Sequence, residues 1–418
     1  MSDFRFLHAA DIHLDSPLQG LARYDGVPLE DVRGATRTAF DALIQYALDE
    51  HVDFIVLAGD LFDGDWKDMG TGLYFAGAMG RLAKAGIAAF VLAGNHDAAS
   101  VLTKALPWPD NVKIFSARRP ETFTLPGLSV ALHAQSFATQ HVYDDLAGRY
   151  PAPEAGAFNI GVLHTALAGA EGHAPYAPCT LASLQAKGYD YWALGHVHDH
   201  QQLSERPYVV FPGNLQGRNI RETGPKGAVL VEVHDREVVA ARFVSLDVVR
   251  WSRASVACTG AETMEAIYAA VRAKLLEVHT QEAEGRPQIV RVDLLGETPL
   301  AGALRDRASL LRAEVQSLAA AIAPDLWLEK VSLKVAMPAV TGPQNLPPEL
   351  LELLAEAPGN TELADLLAED LRPFLTARPA TEEPEVGELS AAAGRADWPE
   401  VVRAASAALA ARLGGGAA

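Results

Sequence analysis

Residues 4–250 are predicted to form a layered α/β fold, and three observations lead there. Short runs rich in β-branched and aromatic residues recur through this stretch, amphipathic segments with apolar residues at helical spacing separate several of them, and a number of the runs end in a polar cluster. The runs that read as strands are 4–8, 54–58, 88–93, 112–115, 128–133, 160–164, 191–194, 208–211, 228–233 and 238–243. Helices are expected over 31–50 and 71–85, each leading by a short crossover into a buried strand.

The pattern changes after residue 250. A helix over 261–278, a strand over 288–295, a helix over 304–322 and a strand over 326–335 read as a small α+β unit. Pro338-Ala-Val-Thr-Gly-Pro-Gln-Asn-Leu-Pro-Pro348 then reads as a linker, since its prolines and glycine continue neither a helix nor a central strand. Acidic helical segments follow at 349–356 and 362–375, then a Pro/Glu-rich stretch over 378–388 and an Ala-rich helix over 399–413. The expected organisation is a main domain over 1–250, a small α+β domain over 255–337, and a linker with a helical acidic tail over 338–418.

Composition narrows the class. The chain has 418 residues, 49% of them hydrophobic, as in an ordinary folded protein rather than a disordered one. Asp and Glu number 53 against 35 Lys and Arg, a net charge of −18, which opposes unaided, tight, non-specific binding to a polyanion. The two cysteines, Cys179 and Cys258, have no spacing of a disulfide framework or zinc cluster and suit a reducing compartment. With no secretory leader and no apolar run near the roughly 18 to 20 residues of a membrane span, a cytoplasmic protein without membrane attachment is expected.

The chemistry lies at the ends of the strands. Asp11-Ile12-His13, Gly59-Asp60-Leu61-Phe62-Asp63, Gly94-Asn95-His96-Asp97, Leu163-His164 and Gly195-His196-Val197-His198 each place metal-binding side chains just past an apolar run. Carboxylate, imidazole and amide oxygen together suit manganese, iron or zinc; a calcium cage would not need these histidines. On an extended segment residues i and i+2 share a face, so Asp11 with His13, and His196 with His198, can each address one pocket. Two ions about 3.5 to 4 Å apart need a bridging carboxylate, and Asp60, closing a buried strand, is the candidate. His96, beside the amide of Asn95, is the candidate acid for a leaving oxygen, or a stabiliser of the transition state. A lone histidine at a strand end is ordinarily a satisfied core or surface residue, and a lone Asp-Gly or Gly-Asn a turn. The ordered set has no such ordinary explanation.

Those motifs, as Asp11-x-His13, Gly59-Asp60-x-x-Asp63, Gly94-Asn95-His96-Asp97, His164 and Gly195-His196-x-His198, resemble the signature of the calcineurin-like metallophosphoesterases over residues 4–250. The resemblance implies two β-sheets sandwiched together and flanked by helices. Within that superfamily the opening Phe6-Leu7-His8-Ala9-Ala10-Asp11-Ile12-His13-Leu14-Asp15 and the stretch Phe211-Pro212-Gly213-Asn214-Leu215-Gln216-Gly217-Arg218-Asn219 are similar to DNA repair exonucleases of the SbcD and YhaO type.

The resemblance implies a metal-dependent exonuclease or endonuclease with two divalent ions, Mn(II) foremost. Asp11, His13, Asp60 and His198 would hold one ion, and Asp60, Asn95, His164 and His196 the other, with His96 and Asp60 as the catalytic pair. Asp63 stands where relatives of the eukaryotic type carry a histidine, a departure that leaves processive action on duplex ends open and the metal chemistry unchanged. Residues 255–337 sit where those relatives carry a DNA-selecting cap. DNA, a coiled-coil ATPase subunit and a second copy of the chain are the implied partners, and the acidic tail reads either as an ATPase-docking segment or as a solvated extension. Arg218, Arg221 and Lys226, together with Arg23, Arg33 and Arg37, are the basic residues expected to contact backbone phosphates. Two other readings use the same motifs: a phosphodiesterase or phosphatase for small phosphoesters, and a non-catalytic scaffold with a structural metal site. Gly59-Asp60-Leu61-Phe62-Asp63-Gly64 and Gly94-Asn95-His96-Asp97 differ from the Gly-Asp-x-x-Asp-Arg-Gly and Gly-Asn-His-Glu of phosphoprotein phosphatases.

Overall fold

The computed structural model describes residues 3–16, 32, 34–62, 69–99, 108–167, 176–338, 347–376 and 397–414. The predicted linker and the 378–388 stretch fall largely or wholly outside these residues, as do Asp63, Arg23 and Arg33.

The first sheet contains β1 (Phe4–Ala9), β2 (Phe54–Ala58), β3 (Ala88–Leu92), β4 (Val112–Ile114), β11 (Gly227–His234) and β12 (Glu237–Ser245) in the order β12-β11-β1-β2-β3-β4. Strands β1 to β4 run parallel, while β11 pairs antiparallel with both β1 and β12. The second sheet contains β5 (Glu121–Leu125), β6 (Val130–Ala134), β7 (Phe158–His164), β8 (Tyr191–Gly195), β9 (Gln201–Glu205) and β10 (Tyr208–Phe211) in the order β5-β6-β7-β8-β10-β9. Its four central strands are parallel and its edges antiparallel.

Side-chain alternation explains the layering. Along β1, Phe4 and Phe6 enter the cluster between the sheets with Phe54, Phe90, Leu132, Ile160, Tyr191 and Val210. Leu7 and Ala9 point the other way, towards α1 (Ala35–Asp49) and α2 (Met69–Lys84), through Phe40, Leu43, Phe75 and Met79. On the outer face of the second sheet, Leu163, Trp192, Leu194 and Phe211 pack with Tyr150 and Leu184, the latter on α4 (Leu181–Ala186), after the short α3 (Asn95–Ala99). Two sheets covered by helices is the architecture expected from the sequence. Burying both faces of the parallel strands explains why they read as nearly continuous apolar runs.

His8 lies between the sheets. It is fully buried, with Nδ1 3.1 Å from the Tyr191 hydroxyl and Nε2 3.1 Å from the Leu194 carbonyl. A carbonyl only accepts, so Nε2–H donates to it and Nδ1 accepts from the tyrosine, which fixes the neutral tautomer. Burial drives its pKa down to about 3, against the opposing Leu194 bond.

The remaining strands, β13 (Arg250–Ala257), β14 (Gln288–Glu297) and β15 (Leu326–Ala336), make a three-stranded sheet in that order. With them come α5 (Met264–Glu282), α6 (Ala301–Asp306) and α7 (Ala308–Ile322). The single helix expected over 304–322 is two helices, because Arg307 leaves helical geometry at φ −112°, ψ 29°. Three later helices are α8 (Pro348–Glu356), α9 (Thr361–Thr376) and α10 (Trp398–Gly414). Two compact units emerge: Met1–Arg253 with Leu276–Arg291 and Ala319–Glu329, and Ala254–Leu275 with Val292–Leu318 and Lys330–Ala418. Every candidate metal ligand belongs to the first unit.

Candidate metal centre

Parallel strands bring the motifs to one end of each sheet. After β1 the chain turns at Asp11 and His13, after β2 at Gly59 and Asp60, and after β3 at Gly94 and Asn95; in the second sheet β7 ends on His164 and β8 on Gly195. The carboxyl ends of parallel strands are where open α/β sheets present functional groups. The turns after β1 and β2 are tied together: Asp11 N–H donates to Gly59 O at 3.0 Å, His13 N–H to Asp60 O at 3.0 Å, and Leu14 N–H to Leu61 O at 2.8 Å. These bonds hold a costly backbone. Asp11, His13, Asp60 and His196 have φ of 51°, 44°, 52° and 101°, a region that costs a non-glycine residue of order 1–3 kcal/mol. Such conformations persist only where the surrounding structure enforces them, and here they coincide with the candidate ligands.

Glycine lets the sheets meet. A Cβ on Gly195 would lie 2.0 Å from the Ala58 carbonyl oxygen and 2.9 Å from His164 Nδ1, and one on Gly59, at φ 100°, would lie 2.4 Å from the same nitrogen. The structure shows that Gly59 and Gly195 let one sheet approach the other.

The donors fall into three overlapping groups: Asp11, His13 and His198; His13, Asp60 and His96; and Asp60, His164 and His196. Within each group the potential ligand atoms all lie within 4.8 Å of one another. Asp60 Oδ2 is 3.3 Å from His164 Nε2 and 4.0 Å from His13 Nε2, so one carboxylate reaches two groups. Asn95 Oδ1 joins the third at 3.0 Å from His164 Nε2.

Hydrogen-bond accounting tests whether cations fit. His164 Nδ1 lies 3.0 Å from Ala58 O, an acceptor, so this nitrogen carries the proton and Nε2 turns its lone pair towards Asn95 Oδ1 and Asp60 Oδ2. Three electron-rich atoms converging in a buried space require either a proton or a cation among them. The same holds at His198. Its Nδ1 lies 2.9 Å from Glu222 Oε1, which leaves Nε2 facing Asp11 Oδ1 at 3.8 Å, a buried oxygen with no hydrogen-bond partner. Both clusters therefore suit a divalent cation held by oxygen and imidazole.

The titration directions agree. Burial pushes Asp60 up, but the imidazoles of His164, His13 and His96 outweigh it and hold the carboxyl far below its usual range. Burial pushes His164 down, yet Asp60 and Asp11 raise it to about 9. Both shifts favour positive charge in this pocket.

Several roles were not legible beforehand. Asp97 is buried and accepts from the N–H groups of Leu61, Phe62 and Gly94 at 3.1, 3.0 and 3.0 Å, so it clamps the turns bearing Asp60 and Asn95. Burial and the Asp60 charge raise its pKa to about 7. Glu222 holds His198, the Arg218 backbone N–H at 2.7 Å and Asn214 Nδ2 at 2.9 Å. Burial raises its carboxyl, but His198 and Arg218 more than reverse this. Glu222 follows Arg218 at the i,i+4 spacing of an ion pair, the one sequence signal that pointed to it.

The residues expected to contact phosphate stand in different surroundings. Lys226 is 2% exposed, and its ammonium donates to His198 O and Asp199 Oδ1, both at 2.8 Å; it fixes the His198 segment instead of facing solvent. Arg37 grips Asp15, with Nε 2.6 Å from Oδ1, which anchors the turn after β1. Arg218 lies 3.0 Å from Glu222 Oε1 and 3.4 Å from His198 Nδ1, and Arg221 is exposed.

The chain matches the calcineurin-like phosphoesterase family over residues 4–200 and the metallophosphoesterase YhaO middle domain over residues 251–336. It is 38% identical over 303 residues to the uncharacterized metallophosphoesterase YhaO of Bacillus subtilis (strain 168), covering 72% of this chain and 73% of that protein. It is 28% identical over 277 residues to the DNA double-strand break repair protein Mre11 of Methanopyrus kandleri, covering 60% of this chain and 58% of that protein. Against the Mre11 protein of Sulfurisphaera tokodaii it is 27% identical over 255 residues, covering 56% of this chain and 60% of that protein. The match thus spans less than two thirds of either Mre11 protein.

Proposed function

The chain belongs to the calcineurin-like metallophosphoesterase family, a family of hydrolases acting on phosphoesters through a dinuclear metal centre, and from that premise we propose that it is a metal-dependent nuclease cleaving DNA phosphodiester bonds. The observation that carries the reading is the convergence of Asp11, His13, Asp60, Asn95, His164, His196 and His198 into linked groups, the first joined to the second through His13 and the second to the third through Asp60. The likeness to two DNA double-strand break repair proteins supports DNA as the substrate.

In this proposal Asp11, His13, Asp60 and His198 hold one cation and Asp60, Asn95, His164 and His196 the other, with Mn(II) as the metal. Bound there, two divalent cations neutralise phosphate charge and make water a better nucleophile. Asp60 joins the two groups. His96 is assigned the protonation of the leaving oxygen, a role supported by its backbone N–H donating to Asp60 Oδ1 at 3.0 Å and its ring centroid lying 5.1 Å from that of His13. Arg221, with the guanidinium of Arg218, contacts flanking phosphates. The resemblance alone extends the reading to DNA repair in the cytoplasm, with a coiled-coil ATPase subunit and a second copy of the chain as partners. No described helix is long and apolar enough to cross a membrane.

A manganese-supplemented assay on linear DNA, circular single-stranded DNA and a bis-aryl phosphodiester tests the proposal. The nuclease reading expects DNA to be cut, and His96→Ala to lower turnover roughly 10²- to 10⁴-fold while calorimetry still counts two cations. Turnover of the aryl ester alone would overturn it in favour of a small-phosphoester hydrolase. Loss of cations in the variant would make His96 a ligand, which its place in a group with His13 and Asp60 allows.

A further inference from the structure

Beside the metal centre runs a line of rings that hydrolysis does not use. The Tyr176 ring meets His196 edge to face with centroids 5.3 Å apart. His141 lies 5.7 Å from Tyr176, and Tyr143 6.3 Å from His141 with the last two planes inclined by 30°. Exposure rises along the line: Tyr176 is half-buried, His141 is exposed and Tyr143 is 65% exposed.

The floor beneath the rings is fixed. Ala177 N–H donates to Val142 O at 2.6 Å, joining the two loops that carry them, and Ala166 N–H donates to Tyr176 O at 3.0 Å. The Thr165 hydroxyl donates to Ala177 O at 2.8 Å, tying the loops to the end of β7 beside His164. Ala177 is fully buried and Val142 packs on the core beneath the second sheet. Rings on such a base keep their place when a ligand arrives, so little ordering is needed on binding.

We propose that Tyr176, His141 and Tyr143 form a stacking platform for an unpaired nucleobase of the strand whose phosphodiester lies at the metal centre. The proposal rests on the nuclease reading and narrows it to single-stranded or frayed DNA. A base inside a duplex has its faces covered by its neighbours, whereas an unpaired base can lie on an aromatic ring whatever its identity. Local charge favours a base over a phosphate. Asp144 and Asp145 adjoin Tyr143, both exposed, and the Arg149 charge is already paired with Asp144 at 2.8 Å. Phosphates are repelled from this rim, while a neutral base is not.

Steady-state cleavage of two single-stranded oligonucleotides by the full chain tests the platform, one carrying 2-aminopurine and the other an abasic residue at the same position next to the scissile bond. Expected is a KM about tenfold lower for the base-bearing strand, with 2-aminopurine fluorescence quenched on binding. His141→Ala/Tyr143→Ala should erase both the preference and the quenching while leaving aryl phosphodiester turnover unchanged, which also shows that the variant folds. Tyr143→Trp should keep or strengthen them. Equal KM values for the two strands, or quenching that survives in the double variant, would overturn the platform and leave the nuclease reading standing. Failure to cut either strand while the aryl ester is hydrolysed would overturn both.

Discussion

Glu222 shows how one side chain sets the state of another. Its oxygen, 2.9 Å from His198 Nδ1, accepts the imidazole N–H on that side and so aims the other nitrogen at Asp11. Carboxylates behind metal-binding histidines orient the ring and raise its basicity, and losing one typically costs 10- to 100-fold in metal affinity. Glu222→Gln keeps an acceptor but drops the charge, and Glu222→Ala removes both. Calorimetric titration with Mn(II) should show affinity falling by up to about 100-fold in the alanine variant and by less in the glutamine variant. Equal affinity in all three proteins would reduce Glu222 to an anchor for Arg218. Little of this was legible in the chain. Asp11, His13 and Asp60 stand in short patterns that a reader can pick out, whereas Glu222 reaches His198 across 24 residues and Asp97 reaches Leu61 across 36.

Strands are the elements that make the centre, and their ends must lie close together. The place where β8 crosses β2 leaves no room for a methyl group, since a Cβ on Gly195 would stand 2.0 Å from the Ala58 carbonyl that also receives the His164 Nδ1 proton. Gly195→Ala should therefore destabilise the fold by about 3 kcal/mol and weaken cation binding at His164 together with it, as read by thermal denaturation and calorimetry. An alanine variant with unchanged melting and affinity would mean that the sheets separate there at no cost. Central strands such as β2, β3 and β8 were readable because both of their faces are buried, so apolar residues run on without interruption. The two edge strands of the second sheet were not. Gln201–Glu205 is largely exposed, and Glu121–Leu125 alternates polar and apolar residues, so neither shows the signal of a core strand.

Stability of the whole molecule carries a pH signature from His8, which bridges the two sheets. Its folded pKa is about 3 against the ordinary histidine value of 6.5, so the folded state binds fewer protons between those values. That contribution is complete above pH 6.5 and is lost as the pH falls towards 3. Denaturant unfolding at pH 7 and pH 5 should show the protein losing about 2 kcal/mol more than a His8→Gln variant, which lacks the titrating ring. A gap independent of pH would place a proton on His8 in the folded protein. Asp97, raised to about 7, has the opposite sign, and comparison with the variant separates the two. At the same scale the net charge of −18 restrains any polyanion from binding away from the centre. Composition and periodicity by themselves determined the α/β class, the run of central strands and the residue types able to hold metal, because these follow from local burial patterns and from donor chemistry. Which donors share a pocket, which nitrogen of each histidine faces it, and that Lys226 is enclosed rather than offered to a phosphate were decided only by tertiary structure. Those outcomes depend on distances between segments far apart along the chain, and such distances are set by how two sheets pack, which no short stretch of sequence contains.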